Sequence, residues 1–110
     1  MEFRQKDLDR MRFLVNRLPM ARFRVDRALG LGGELLEQAR DTQRALREEL
    51  AELQARAKVA FEAVDDPLER QLLEMRYLRG LSVRRIAYAV NYSERHVFRV
   101  LKSAEGRFEG

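Results

Sequence analysis

The sequence has no cysteine, which excludes disulfides, thiolate nucleophiles and Cys-type zinc sites. Tryptophan is also absent. His96 is the single histidine, so no second imidazole is available to complete a ligand pair. Only two prolines interrupt the 110 residues, at Pro19 and Pro67. No apolar run approaches the ~20 residues of a membrane span, and no signal-peptide core follows Met1. These absences lead to the expectation of a soluble, intracellular chain that needs no metal or other cofactor and no membrane.

Hydrophobic residues make up 45% of the chain, enough for a core, while charged residues reach 36%. The latter exceeds the ~25% of ordinary globular domains and fits long amphipathic helices. The net charge of +4 is unevenly spread. Residues 1–33 carry eight basic and four acidic side chains, and residues 34–65 carry five and eight. From 76 to 102 there are seven basic residues against Glu94 alone. Positive charge concentrated in one short segment points to a polyanion.

Apolar spacing divides the chain into four helical pieces. Leu8, Met11, Leu14, Val15 and Leu18 form one face over 3–18, and Pro19 predicts a break or kink there. A short piece follows through Met20, Phe23, Val25 and Leu29, ending at the Gly30, Gly32 and Gly33 turn. Leu36, Ala39, Gln43, Leu46, Leu50, Leu53, Ala57, Ala60 and Val64 alternate in steps of three and four, the seam of a coiled coil. Its partner is either residues 3–29 folded back or a second protomer, the dimer being favoured. Asp66 and Pro67 read as the N-cap and first residue of a fourth piece, which Gly80 ends.

The last thirty residues are the most informative. Ser82 caps a short helix over 83–90 and Ser93 a longer one over 94–108, with only Asn91 and Tyr92 between them. So short a connection requires the helices to cross steeply, as in a helix-turn-helix. Ala87 is small where they would meet, and Asn91 tolerates the left-handed backbone of the turn. Ile86, Val90, Tyr92, Val97, Val100 and Leu101 are expected to face inward. Glu94, Arg95, His96, Phe98, Arg99 and Lys102 are left outside, with Arg84 and Arg85 on the preceding helix. In such a motif the second helix enters the major groove of double-stranded DNA and the first crosses the backbone. Arg95 then reads bases, Arg84 and Arg85 clamp phosphates, and the helix N-terminus at Ser93 favours phosphate. The competing reading is a solvated basic face. Phe98 either touches a thymine methyl or seals the helix against a neighbour, packing being the reading preferred.

Residues 66–104 resemble the fourth region of sigma-70 factors and, more closely, small phage and prophage proteins with a sigma region 4-like end. The resemblance rests on Arg76, Tyr77, Leu78, Gly80 and Ser82, on the pair Ile86 and Ala87, and on Tyr92, Ser93, Arg95, His96, Val97, Phe98 and Arg99. It implies a phage-borne transcription regulator working in the bacterial cytoplasm, with RNA polymerase as a further partner. Glu94 and Phe98 depart from it, since sigma factors often place arginines there. The expected fold is all-α: an N-terminal helical hairpin or coiled coil (1–64) for oligomerisation or docking, then a helix-turn-helix domain (65–110). A small-terminase-like DNA-packaging protein and a coiled-coil adaptor that binds polymerase without touching DNA are the alternatives. An enzyme is not expected: there is no phosphate-binding GxxxxGK[ST] loop, and the carboxylates fall where helical charge pairing explains them.

Overall fold

Two long helices carry the first half of the chain, whose computed structural model describes residues 2–109. Helix α1 spans Gln5–Ala28. Asp7 in its first turn accepts a hydrogen bond from the Arg4 backbone N–H at 2.8 Å, satisfying a donor that the helix start leaves open. Leu8, Met11, Leu14, Ala21 and Ala28 form its buried stripe.

The break expected at Pro19 does not occur, and the two predicted pieces are one helix of 24 residues. A proline inside a helix removes one hydrogen bond and crowds the carbonyl four residues back, a cost of ~3 kcal/mol. Here that carbonyl belongs to Val15, at an exposed position where water can satisfy it. Leu14 and Ala21 are buried on either side of the proline. Packing against the second helix therefore overrides the local penalty.

Gly32 and Gly33, at φ +67° and +62°, turn the chain back into α2, Gly33–Glu62. Most other residues would be strained at those angles. The alternating seam is realised along α2. Leu50, Leu53, Ala57 and Val64 are buried, and Leu36, Ala39, Gln43, Leu46 and Ala60 are half-buried. The antiparallel α1 of the same chain fills the seam, so the seam does not require a second protomer. Two ion pairs set the register: Arg10 Nε to Glu49 Oε2 at 2.5 Å, and Arg56 to Asp7 Oδ2 at 3.3 Å.

Asp66 caps α3 (Pro67–Leu73), accepting from the N–H groups of Leu68 at 2.9 Å and Glu69 at 3.0 Å. A π-helical turn, Glu74–Leu78, follows, and in it the Arg79 N–H donates to the Glu74 carbonyl at 3.1 Å. Leu73, Met75 and Tyr77 are all buried along this turn, which is covered on more than one side. Gly80, at φ +69°, then releases the chain into α4 (Val83–Val90) and α5 (Glu94–Glu105).

The final helix stops three residues earlier than expected and tightens into a 3₁₀ turn, Gly106–Phe108. That turn brings Phe108 to an aromatic cluster around Phe61, which is completely buried. Phe3 lies 5.8 Å from Phe61 edge-on, with Phe108 at 5.9 Å and Tyr77 at 6.1 Å. The cluster joins both ends of the chain to α2 and the π turn within a single core. No strand occurs among the described residues. The radius of gyration is 16.5 Å, with extents of 50 × 33 × 17 Å. A compact chain of this length would measure about 13 Å. The excess belongs to the hairpin, whose glycine turn projects as an arm beyond the core.

Candidate nucleic-acid interface

The candidate surface is built by α4, α5 and their connection. Ser82 Oγ accepts from the Arg85 N–H at 3.2 Å, and Ser93 Oγ accepts from the His96 N–H at 3.1 Å, so both predicted caps form. Asn91 adopts the left-handed conformation, φ 59° and ψ 41°, the one non-glycine residue with positive φ among those described. The Tyr92 N–H then returns to the Ala87 carbonyl at 3.1 Å, closing α4. Ile86 and Ala87 from α4 and Val97, Leu101 and Ala104 from α5 enter the common core, with Val90 and Val100 at its edge.

Tyr92 departs from expectation. Its ring is 47% exposed rather than inward, and it meets His96 edge-on at 4.8 Å. The left-handed step at Asn91 leads the chain out of the core one residue before Ser93, which leaves Tyr92 over the start of α5. Phe98 is exposed as well, at 55%, with the Lys102 ammonium 5.4 Å from its ring centre. It is not part of the common core, and a cation on its own helix lies beside its ring.

Arg84, Arg85, Ser93, Glu94, Arg95, Arg99 and Lys102 are exposed, and His96 is half-buried. The α4–α5 packing thus presents all nine sequence-derived candidates on outward surfaces of the same helical pair. Among the described residues, none of Arg84, Arg85, Arg95, Arg99 and Lys102 pairs with a carboxylate. Some arginines elsewhere are engaged, Arg12 with Glu105 at 3.3 Å and Arg107 with Glu69 at 2.7 Å, whereas Arg17, Arg24 and Arg27 on α1 share the lack of an ion pair among the described residues. A surface whose cations outnumber its single carboxylate, Glu94, and form no ion pair with it is open to an external anion.

Tyr88 was not foreseen. It is 91% exposed on α4, and an open groove runs beside it between Arg84, Asn91, Ser93 and Glu94. Its position one turn after Arg84 could have signalled a shared face, but an aromatic in so apolar a stretch reads as core.

The buried carboxylates also escaped the sequence. Glu105 accepts from the Tyr77 hydroxyl at 2.8 Å and from Arg12, and Glu69 accepts from Arg107 and from the Ser103 hydroxyl at 3.3 Å. They hold α5 against α1 and α3 and so fix the angle at which its outer face is presented. Burial, followed by the neighbouring Glu105 charge, pushes the Tyr77 phenol above its ordinary range. Among the described residues no group of three or more potential metal ligands converges, and no helix is long and apolar enough to cross a membrane. Comparison with protein families, curated proteins and solved structures finds no match to this chain.

Proposed function

We propose that the protein is a sequence-specific DNA-binding transcription regulator in which α4 and α5 act as a helix-turn-helix. The observation that carries this reading is the set of five cations on the outer faces of α4 and α5, none in an ion pair among the described residues, at a helix pair with a two-residue turn and serine caps. In the proposed docking, α5 enters the major groove. Arg95, in its first turn, reaches a guanine edge; Glu94 accepts from a cytosine amine; and the exposed Phe98 ring meets a thymine methyl. His96 adds a polar contact. Arg84 and Arg85 bind phosphates from α4, and the Ser93 N-terminus of α5 adds backbone donors. Arg99 and Lys102 extend the contact along the groove. The resemblance to sigma region 4-like phage proteins supports a phage or prophage regulator in the bacterial cytoplasm, with the α1–α2 arm available to polymerase.

Selection from a randomised duplex pool with purified protein tests the reading and yields the site. Arg95→Ala should then lower affinity for the selected site by ~1–3 kcal/mol while changing a scrambled duplex much less. Arg84→Ala should weaken both alike and reduce the salt dependence by about one phosphate contact. An unenriched pool at low salt overturns DNA recognition and favours the polymerase adaptor. Equal weakening of both duplexes by Arg95→Ala overturns the docking.

A further inference from the structure

The arm carries a second pattern on its outside. Phe13, Met20, Phe23 and Arg27 follow one another at spacings of seven, three and four, an outer stripe of α1 whose ends reach toward α2. Arg10, bonded to Glu49, lies 4.9 Å from the Phe13 ring, and Arg27 borders a groove shared with Leu35, Gln38 and Thr42. The three apolar side chains are exposed. Arg17 flanks the stripe 5.7 Å from the Phe13 ring, and Arg27 lies 5.9 Å from the Phe23 ring. The outward side of α2 is mainly acidic: Glu34, Glu37, Asp41, Glu48 and Glu52, with the small Ala45 among them, are all exposed, and Arg44 beside them pairs with Asp41 at 3.3 Å. Among the described residues, Arg17, Arg24, Arg27, Glu34, Glu37, Glu48 and Glu52 form no ion pair.

We infer that the hairpin arm binds a second copy of this chain, the basic aromatic edge of α1 in one protomer lying against the acidic edge of α2 in the next. The two edges match in length, about 21 Å from Phe13 to Arg27 and about 27 Å from Glu34 to Glu52 at the helical rise. They also match in level. The pairs Arg10–Glu49 and Asp7–Arg56 fix which heights of the two helices correspond. A neighbour at the same height brings Arg27 to Glu34, Arg24 to Glu37 and Arg17 to Asp41, with Phe13 beside Ala45, whose small side chain leaves room for the ring. A nucleic acid or an anionic membrane would satisfy the arginines but would leave the acidic edge, at the same level of the same arm, without a role.

The edges face opposite ways, so one contact leaves a free edge on each partner. The association is therefore head-to-tail, growing into a ring or a chain rather than stopping at a two-fold pair. A single helix edge of this length on a rod ~10 Å wide buries a few hundred Å² per partner, below the ~800 Å² of a standard interface. The contact is correspondingly weak, and because it is rich in exposed charge, salt disperses it.

Light scattering and sedimentation of the nucleic-acid-free full chain, over a wide concentration range at low and high salt, test this. The mass at low salt should rise with concentration past that of a dimer and fall to that of a monomer at high salt. Arg17→Glu with Arg24→Glu, and separately Glu37→Arg with Glu48→Arg, should each remain monomeric, and mixing the two variants should restore association. A wild-type chain that stays monomeric at low salt, growth that stops at a dimer, or a mixture that stays monomeric overturns the inference. A monomeric wild type that binds anionic vesicles or duplex DNA through Arg17 and Arg24 overturns it too, and reassigns the stripe to that surface.

Discussion

The two ends of the molecule are held in different ways. At the closed end, parts of every helix join one core that includes Phe61, and the carboxylates of Glu69 and Glu105 are buried with partners on other elements. At the open end, α1 and α2 have only each other, and the seam residues Leu36, Ala39 and Gln43 are half-buried. The same three-four spacing therefore yields a full core where a third layer covers it and a shallow one where none does. Periodicity sets which face turns inward; depth depends on elements distant in sequence. An arm supported on one side is also the part of the fold left with surface for a partner.

The largest difference should come from deleting equivalent apolar bulk at the two ends. Phe61→Ala removes the centre of a four-ring cluster and should cost ~3–5 kcal/mol, a large share of the ~5–15 kcal/mol that holds a domain folded. Leu36→Ala, half-exposed on the arm, should cost ~1 kcal/mol. Chemical denaturation monitored by helical circular dichroism measures both, and equal losses would dissolve the distinction between the ends. Native-state hydrogen exchange should agree, with backbone amides near Leu36 opening before those near Phe61.

The features that were legible in the sequence are local ones. Asp66, Ser82, Ser93, Gly80 and Asn91 each determine a cap or a turn through their own chemistry, and all of them do so in the structure. The α2 seam was legible because one rod repeats one period. The misses are non-local. Pro19 continues a helix because Leu14 and Ala21 are held by α2. Phe61 lies one step off the expected seam and gains its importance from Phe3 and Phe108, 58 and 47 positions away. Glu69 and Glu105 look like any helical surface charge until Arg107, Ser103, Tyr77 and Arg12 are folded around them. At the candidate surface, the exposed cations were legible from what the inward positions exclude. Tyr92 was not, because its direction follows from the left-handed step at Asn91, and Tyr88 was passed over although it lies one turn after Arg84 on the same helix.

A smaller effect should appear in alkali, and at the closed end. The Tyr77 hydroxyl donates to Glu105 only while protonated, and burial with that nearby negative charge raises its pKa above the ordinary 10.0. A pKa raised by folding contributes stability that is complete below the unfolded value and is lost as pH rises past it. Wild-type stability should therefore decline as pH rises above about 10. Tyr77→Phe should cost ~1–2 kcal/mol at neutral pH through the lost hydrogen bond, and should decline less steeply in alkali. Thermal unfolding across this range measures both, and identical alkaline slopes for the two proteins would remove Tyr77 from the account.

The smallest expected effect lies in acid, where the arm joins the core. Glu49 accepts a hydrogen bond from Arg10, and that bond, more than simple charge attraction, holds its carboxyl below the ordinary 4.5. A pKa lowered by folding contributes stability present above the unfolded value and lost as pH falls through the folded one. Because both side chains are substantially exposed, solvent screens the pair, and its contribution to global stability should disappear within the error of a melting curve. A local probe can still resolve it. The Glu49 carboxyl carbon, followed by NMR, should titrate below the ordinary value in the wild type and move back toward it in Arg10→Gln. Loosening of the arm in acid should follow the same midpoint, with amides around Leu46 losing protection while those around Phe61 keep theirs. A Glu49 titration indifferent to Arg10→Gln would mean that the pair does not form in solution. The register of the hairpin would then rest on the seam and on Asp7–Arg56 alone.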